Sequence, residues 1–228
     1  LGRLKNIGKR IARGAKRDKQ AWDYAVFDSD TKNAFVLPGN RVGFYKGMMD
    51  FTDNDDQVAA IMGHEVGHVS GRHAQERVNT QMAGQLGLAV GGVVGATQIG
   101  KNCKNMQGAQ RNNCYRTAQR NSQLLNAALG MGFTYGVMLP FSRKHESQSD
   151  LLGARYMHRA GYDAHQAVRL WEKMAENNPR RQPEFMSTHP DPSRRARDLH
   201  NFITCQERRG SQGWGNASLK EALKACGA

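Results

Sequence analysis

Several signals that would place this chain of 228 residues in another protein class are absent or weak. No two cysteines have the C-x-x-C spacing, which argues against a structural zinc knuckle. Two apolar stretches, residues 82–100 and 127–141, are rich in glycine and interrupted by Gln or Pro, so neither is predicted to span a membrane. No signal peptide is recognisable and the first residue is not Met, which fits a mature or trimmed chain.

The cysteines are few but even in number, which fits an oxidising compartment. Cys103, Cys114, Cys205 and Cys226 allow three pairings. We expect the two short-range pairs, Cys103 with Cys114 and Cys205 with Cys226. The first would close the cysteine-containing insertion at residues 101–120, and the second would hold the C-terminal helix. Four free thiols in a cytosolic protein are the alternative.

Acidic residues are also scarce, with 20 Asp or Glu against 33 Lys or Arg, and the formal net charge is +13. Residues 1–19 hold eight basic residues and one acidic residue, and Leu4, Ile7, Ile11 and Ala15 recur at helical spacing. This pattern predicts a basic amphipathic helix, which suits an anionic membrane surface or an acidic partner. We expect a helix packed on the body of the protein, and binding to an anionic membrane surface or an acidic partner is the alternative. No module that binds nucleic acid is recognisable, so we do not expect that partner.

One pentapeptide, His64-Glu65-Val66-Gly67-His68, has the H-E-x-x-H pattern of zinc peptidases. Because each helical residue turns about 100°, imidazoles four residues apart project from one face and can bind one tetrahedral Zn²⁺. Glu65 can then take the proton from a water molecule that attacks a peptide carbonyl. A helix that carries the pattern by chance is the alternative, but only about 0.01 matches per chain are expected.

The pentapeptide lies within a predicted helix. Thr52 and Asp55 predict a capping box with Thr52 as the N-cap. Apolar residues then follow at helical spacing: Val58, Ile61, Met62, Val66 and Val69. Because catalytic zinc usually has three protein ligands, a third must come from elsewhere in the chain.

A second candidate group lies downstream. Glu146 and Asp150 are four residues apart on an amphipathic segment whose predicted helix start is Ser142. One carboxylate can reach the zinc while the other accepts the ring N–H of a ligand histidine and fixes its tautomer. An acidic pair at this spacing is usually a solvated surface feature, and only the upstream pentapeptide favours a role at the metal.

Together these motifs resemble the HtpX-type family of H-E-x-x-H zinc metallopeptidases, in particular its periplasmic members of the BepA and LoiP type. The resemblance extends over residues 20–205 and also rests on N-A-F-V-L-P-G at 33–39, G-M-M at 47–49, and T-H-P at 188–190 with Arg195. The family pattern implies the following roles: zinc ligands His64, His68 and Glu146, general base Glu65, Asp150 beside the ligands, and His189 and Arg195 near the metal. Ser149, where Ala is usual, and residues 100–120 depart from the pattern.

His189 lies in a proline-bracketed loop, and three roles are open for it. It can stabilise the oxyanion of the tetrahedral intermediate. As a neutral imidazole, it can instead fill the fourth position of zinc at rest and block water. It can also be an ordinary loop residue that caps the following helix. Arg195 is expected to help stabilise the negative charge of the same oxyanion. The remaining histidines are not predicted as ligands: His73, His145, His158, His165 and His200.

The predicted fold is α+β, a mainly helical zincin-like (gluzincin) metallopeptidase domain with a small β-sheet, and residues 1–228 are expected to form one domain. Strands are predicted near residues 22–27, 34–37 and 42–45, and later helices near 164–177 and 193–203. An edge strand beside a zinc site commonly binds an extended peptide by strand addition. The candidate residues for this contact are Asn33, Ala34, Phe35, Val36 and Leu37.

The sequence thus predicts a zinc-dependent endopeptidase with one Zn²⁺ per chain and Glu65 as the base. The resemblance implies unfolded or misfolded envelope proteins as substrates and a periplasmic or otherwise exported location, with membrane association as an open expectation. A catalytically silent membrane-surface chaperone or binding module on the same fold is the alternative.

Overall fold

The structure is a computed structural model that describes residues 1–176, 185, 189, 192–215 and 217–227. The chain divides into two compact units. Unit 1 is Leu1–His73 together with Lys144–Ala228, and unit 2 is Ala74–Arg143. The expectation that residues 1–228 form a single domain stays a prediction.

The described residues are mainly helical and include one small sheet, which confirms the predicted α+β fold. The helices are α1 (Gly2–Gly14), α2 (Lys46–Phe51), α3 (Asp55–Ser70), α4 (His73–Cys103), α5 (Gly108–Phe133), α6 (Leu139–Arg159), α7 (His165–Glu176), α8 (Pro192–Arg208) and α9 (Leu219–Ala225). The strands are β1 (Asp23–Phe27), β2 (Ala34–Leu37) and β3 (Arg41–Tyr45). A π-helical segment, Thr134–Met138, joins α5 to α6.

The three predicted strands are confirmed to within one residue. Their order in the sheet is β1-β3-β2, with β1 parallel and β2 antiparallel to β3. The central strand therefore buries Val42 and Phe44, while β2 lies at an edge of this three-stranded sheet. The strand predicted to bind substrate is thus one whose outer side is not paired within the described sheet.

Helix α1 has the amphipathic pattern that the sequence predicts, and its apolar face is buried. Leu4, Ile7 and Ile11 belong to the hydrophobic core, and α1 packs against α3. Arg3 also donates a hydrogen bond of 2.6 Å to Asp55 at the start of α3. The structure therefore confirms the expected packed helix, because the apolar residues that a membrane would need are already covered.

Two predicted helix starts are wrong. Helix α3 begins after Asn54, whose side chain accepts a hydrogen bond from the backbone N–H of Gln57, so Asn54 and not Thr52 is the N-cap. Thr52 ends α2 instead, and its hydroxyl donates to the carbonyl of Met49. Helix α6 does not start at Ser142, because the helical backbone continues from the π-helical segment into α6.

Unit 2 contains nearly all of α4, all of α5, the π-helical segment and the first residues of α6. Helices α4 and α5 are joined by a short connection and by a disulfide between Cys103 and Cys114. Within its described residues α5 buries no side chain. The helical stretch Gly108–Arg159 is, by length and composition, apolar enough to cross a membrane, and none of its most apolar window is buried. This differs from the sequence-based prediction that neither apolar stretch spans a membrane.

A second disulfide, Cys205–Cys226, links α8 to α9. Both pairs are those that the sequence analysis favoured, and together they use all four cysteines. Helix α9 begins with a capping box in which Ser218 and Glu221 exchange hydrogen bonds. This disulfide thus links the C-terminal segment covalently to α8 within unit 1.

Candidate metal centre

Three glycines bring α3 and α6 into backbone contact. A β-carbon on Gly67 would lie 2.8 Å from the carbonyl oxygen of Ser149, and one on Gly63 would lie 3.0 Å from that of Gly153. Since no side chain separates the two helices there, the functional side chains of both reach the same point. The H-E-x-x-H residues come from α3, and the predicted acidic pair comes from α6.

Replacement of Gly67 by Ala tests this close approach. The added methyl group would force the two helices apart, so we expect the free energy of unfolding to fall by about 1–3 kcal/mol. The matched control is Gly87→Ala in α4, where an added β-carbon meets nothing within 4 Å and Ala has the better helix propensity. Urea unfolding would measure both variants, and a Gly67→Ala midpoint equal to that of Gly87→Ala would contradict the prediction.

Four buried or largely buried side chains converge at this crossing. One ligand atom from each of His64, His68, Glu146 and His189 lies within 4.8 Å of the others. Nε2 of His64 is 3.0 Å from Nε2 of His68 and 3.2 Å from Nδ1 of His189. Oε2 of Glu146 is 2.7 Å from the same Nδ1.

This donor set fits a divalent cation. Imidazole nitrogen and carboxylate oxygen are the ligands that Zn²⁺ takes in proteins. Oε1 of Glu146 is buried and makes no hydrogen bond within the described part of the chain. Three ring nitrogens that face one another cannot all be satisfied by each other's protons, whereas one cation would accept a lone pair from each.

The charges around the cluster favour a positive charge at its centre. Burial opposes a charge on His64, but hydrogen bonds with Asp150 and Glu146 outweigh it and raise the pKa of His64 to about 9. Burial likewise opposes ionisation of Glu146, yet hydrogen bonds with His189 and His64 hold its pKa well below the usual value. A proton and a metal cation would therefore compete for the same nitrogen of His64.

Glu65 lies beside the cluster and is only 2% exposed. Its Oε1 is 3.6 Å from Nε2 of His189, and the backbone N–H of Val36 in β2 donates to its carboxylate. Burial raises the pKa of Glu65 to about 7. A carboxyl group with a pKa near neutrality can both accept and return a proton, which is what a general base needs.

Asp150 contacts His64 at the ring nitrogen that faces away from the cluster, and Arg195 in turn binds Asp150. Arg195 donates from Nε to Oδ2 and from Nη2 to Oδ1 of Asp150, each at 2.7 Å. Oδ1 of Asp150 also lies 2.9 Å from Nδ1 of His64. Since the carboxylate can only accept, Nδ1 of neutral His64 carries the proton and Nε2 presents its lone pair to the cluster.

His189 turns both ring nitrogens towards functional groups. Nδ1 faces the cluster and Nε2 faces Glu65, while the ring stacks on Phe185 at 4.2 Å. Burial lowers the pKa of His189 to about 4, so the ring is neutral. Arg195 donates to its backbone carbonyl at 3.1 Å. Of the predicted proline-bracketed loop, which spans residues 187–192, residues 187–188 and 190–191 lie outside the described residues.

The comparison with protein families agrees with this geometry. The sequence model of the protein family described as Peptidase family M48 matches residues 2–203. The chain belongs to peptidase family M48. This membership confirms the resemblance that the motifs gave, and the M48 match covers both helices of the cluster.

Curated relatives of this M48 chain are themselves described as peptidases. It is 29% identical to the mitochondrial metalloendopeptidase OMA1 of Schizosaccharomyces pombe, over 88% of this chain and 52% of that protein. It is 25% identical to the beta-barrel assembly-enhancing protease of Escherichia coli, over 87% of this chain and 38% of that protein. The chain thus spans about half the length, or less, of these relatives.

Sequence reasoning missed three polar side chains near His68. His73, His145 and Ser149 are buried there, although neither histidine was expected to matter. His73 lies five residues after His68, and in one continuous helix that spacing would place the two rings on different faces. Gly71 could have indicated the end of the helix before His73. Helix α3 does end there, so helical spacing no longer relates His68 to His73.

Proposed function

We propose that this chain is a zinc-dependent endopeptidase that hydrolyses peptide bonds of unfolded or misfolded proteins. The observation that carries the proposal is the convergence of His64, His68 and Glu146 on one point with the carboxylate of Glu65 beside it. M48 membership and relatives described as metalloendopeptidases support the same reaction class. Zn²⁺ bound there would supply Lewis-acid chemistry and lower the pKa of water.

Each side chain then has a separate task. His64, His68 and Glu146 hold the ion, and Asp150 fixes the ring of His64 through its Nδ1–H. Glu65 accepts a proton from the attacking water and later returns it to the leaving amine. Because Glu65 is buried, bulk solvent does not stabilise its charged form, and its carboxylate is a stronger base than an exposed one.

His189 fits best the second of the three roles considered above. Its ring directs Nδ1 at the ligand atoms of the cluster, so it can serve as a fourth ligand at rest once a cation displaces the proton that Nδ1 donates to Oε2 of Glu146. Its Nε2 lies near Glu65, where a substrate carbonyl would also have to enter. Substrate binding would therefore require His189 to give up its position, after which the ring can donate to the oxyanion.

Strand β2 is the proposed peptide-binding edge. Its outer side is not paired within the described sheet, and Val36 places a backbone N–H at Glu65. An extended peptide that adds to Asn33–Leu37 would be recognised by its backbone more than by its side chains. Such recognition favours chains that are unfolded, because a folded protein has already paired its backbone groups.

We infer a periplasmic or otherwise exported location, since two disulfides fit an oxidising compartment. Envelope proteins are the corresponding substrates. Membrane association is supported by the apolar stretch within Gly108–Arg159 rather than by α1, whose apolar side is covered.

The test is cleavage of casein with and without a zinc chelator. We expect cleavage to stop when the chelator is added and to return when Zn²⁺ is restored. Glu146→Gln should behave like the chelated protein, whereas Glu172→Gln, an exposed change on α7, should leave cleavage unaffected. Cleavage that persists in the chelator would contradict a zinc-dependent reaction, whereas no cleavage under any condition would favour the silent binding module.

A further inference from the structure

His73 contacts His68 on the side opposite the metal-ligand cluster. Nδ1 of His73 lies 2.9 Å from Nδ1 of His68. The other nitrogen of His68, Nε2, faces the cluster and is 3.0 Å from Nε2 of His64. His73 is 3% exposed, so water does not compete for this contact. The ring of His68 is thus held between the cluster and a second imidazole.

The hydrogen bonds around His73 determine which nitrogen carries the proton. Oε1 of Gln148 lies 3.2 Å from Nε2 of His73, and a carboxamide oxygen can only accept. His73 therefore carries its proton on Nε2, and its Nδ1 is an acceptor. Neutral His68 must then donate from Nδ1, which leaves the lone pair of its Nε2 directed at the cluster. The reverse proton arrangement would protonate Nε2 of His68 and prevent it from binding a cation.

The backbone between α3 and α4 is shaped to allow this contact. Arg72 has φ of 55°, a left-handed conformation that non-glycine residues rarely adopt. A β-carbon on Gly71 would lie 2.1 Å from Nε2 of His73, so only glycine leaves room for the ring. The ring of His73 also stacks on that of His145 at 4.0 Å between centroids. The strained turn and the glycine together place His73 against His68.

We propose that His73 is a positioning residue that fixes the tautomer and orientation of His68, as Asp150 does for His64. The inference rests on the proposed function, because it assigns His68 to the metal. It goes further in giving the second histidine ligand an imidazole–carboxamide support, His73 and Gln148, in place of a carboxylate. His73 itself offers no ligand atom to the metal, since its Nδ1 faces Nδ1 of His68 and its Nε2 faces Gln148.

Zinc affinity of the full chain tests the proposal. His73→Phe keeps an aromatic ring against His145 but removes the acceptor, and we expect the dissociation constant, measured by competition with a chromophoric chelator, to rise about 10- to 100-fold. His73→Asn keeps an acceptor near the position of Nδ1 and should recover most of the affinity. His165→Phe, a partly exposed histidine paired with Glu207, is the matched control and should bind zinc like the unchanged chain.

A second measurement needs no substitution. Nitrogen-15 NMR of the imidazole rings in the zinc-bound chain should show His68 protonated on Nδ1 and His73 on Nε2. His73 protonated on Nδ1, or a His73→Phe variant that binds zinc as tightly as His165→Phe, would overturn the inference and leave the metal site intact. An unchanged chain that binds no zinc would overturn the proposed function and this inference together.

Discussion

Glu65→Gln is expected to lower kcat for peptide hydrolysis about 10²- to 10⁴-fold while zinc stays bound. The amide has the volume of the carboxylate and can still accept the backbone N–H of Val36, so the site should keep its shape. What it loses is the basic oxygen, because an amide cannot take a proton near neutral pH. The measurement is kcat and KM on a quenched fluorogenic peptide, together with the zinc content of the purified variant.

The control for this variant is Glu172→Gln, which makes the same chemical change on the exposed face of α7. It should retain the kcat of the unchanged chain. A Glu65→Gln protein with full zinc and undiminished kcat would show that another group takes the proton. His189 would then be the first alternative, because its Nε2 is the ring nitrogen nearest to Oε1 of Glu65.

The parts of the site that the sequence predicted are those that depend on local spacing. His64 and His68 face the same way because helical geometry relates residues four apart, and the same rule relates Glu146 to Asp150. The strands were predictable for a similar reason, since short β-rich runs separated by turn residues show their limits locally. No such rule joins α3 to α6, so their pairing came only from the family resemblance.

The failures arose where two similar signals competed or where the backbone departed from a helix. Thr52 and Asn54 are both good N-caps, and only the tertiary structure shows that Thr52 ends the preceding helix. The packing of α1 was expected, although periodicity alone does not identify whether a membrane or a protein core covers an apolar face. Helical spacing predicted that His73 lies on a different face from His68. The left-handed turn at Arg72 interrupts the helix between them, so that spacing does not apply.

His189 and Arg195 illustrate an intermediate case. The motif around them suggested that both lie near the metal, but three roles were open for the histidine. The structure directs one ring nitrogen of His189 at the ligand cluster and the other at Glu65. Arg195 was expected to support charge near His189, and this stays a prediction. Its guanidinium is bound to Asp150, and it also donates to the backbone carbonyl of His189. Long-range hydrogen bonds of this kind have no sequence periodicity by which they could be predicted.

Arg195→Met is expected to lower the free energy of unfolding by about 3–5 kcal/mol. The side chain of Arg195 is 0% exposed and that of Asp150 is 3% exposed, so removal of the cation leaves a buried carboxylate with His64 as its remaining partner. Met retains apolar contact near Trp171, over which the guanidinium now lies at 4.2 Å. Urea unfolding of the metal-free chain would measure the effect without any contribution from bound zinc.

Two further variants separate the ion pair from the loss of a long side chain. Arg197→Met makes the same substitution at an exposed position of α8 and should change stability by no more than about 0.5 kcal/mol. Asp150→Asn combined with Arg195→Met removes both charges and should recover part of the loss, because a neutral amide is less unfavourable when buried. If Arg195→Met proved as stable as Arg197→Met, the carboxyl group of Asp150 would have to be neutral without Arg195. The ion pair would then contribute no net stability, which contradicts the prediction.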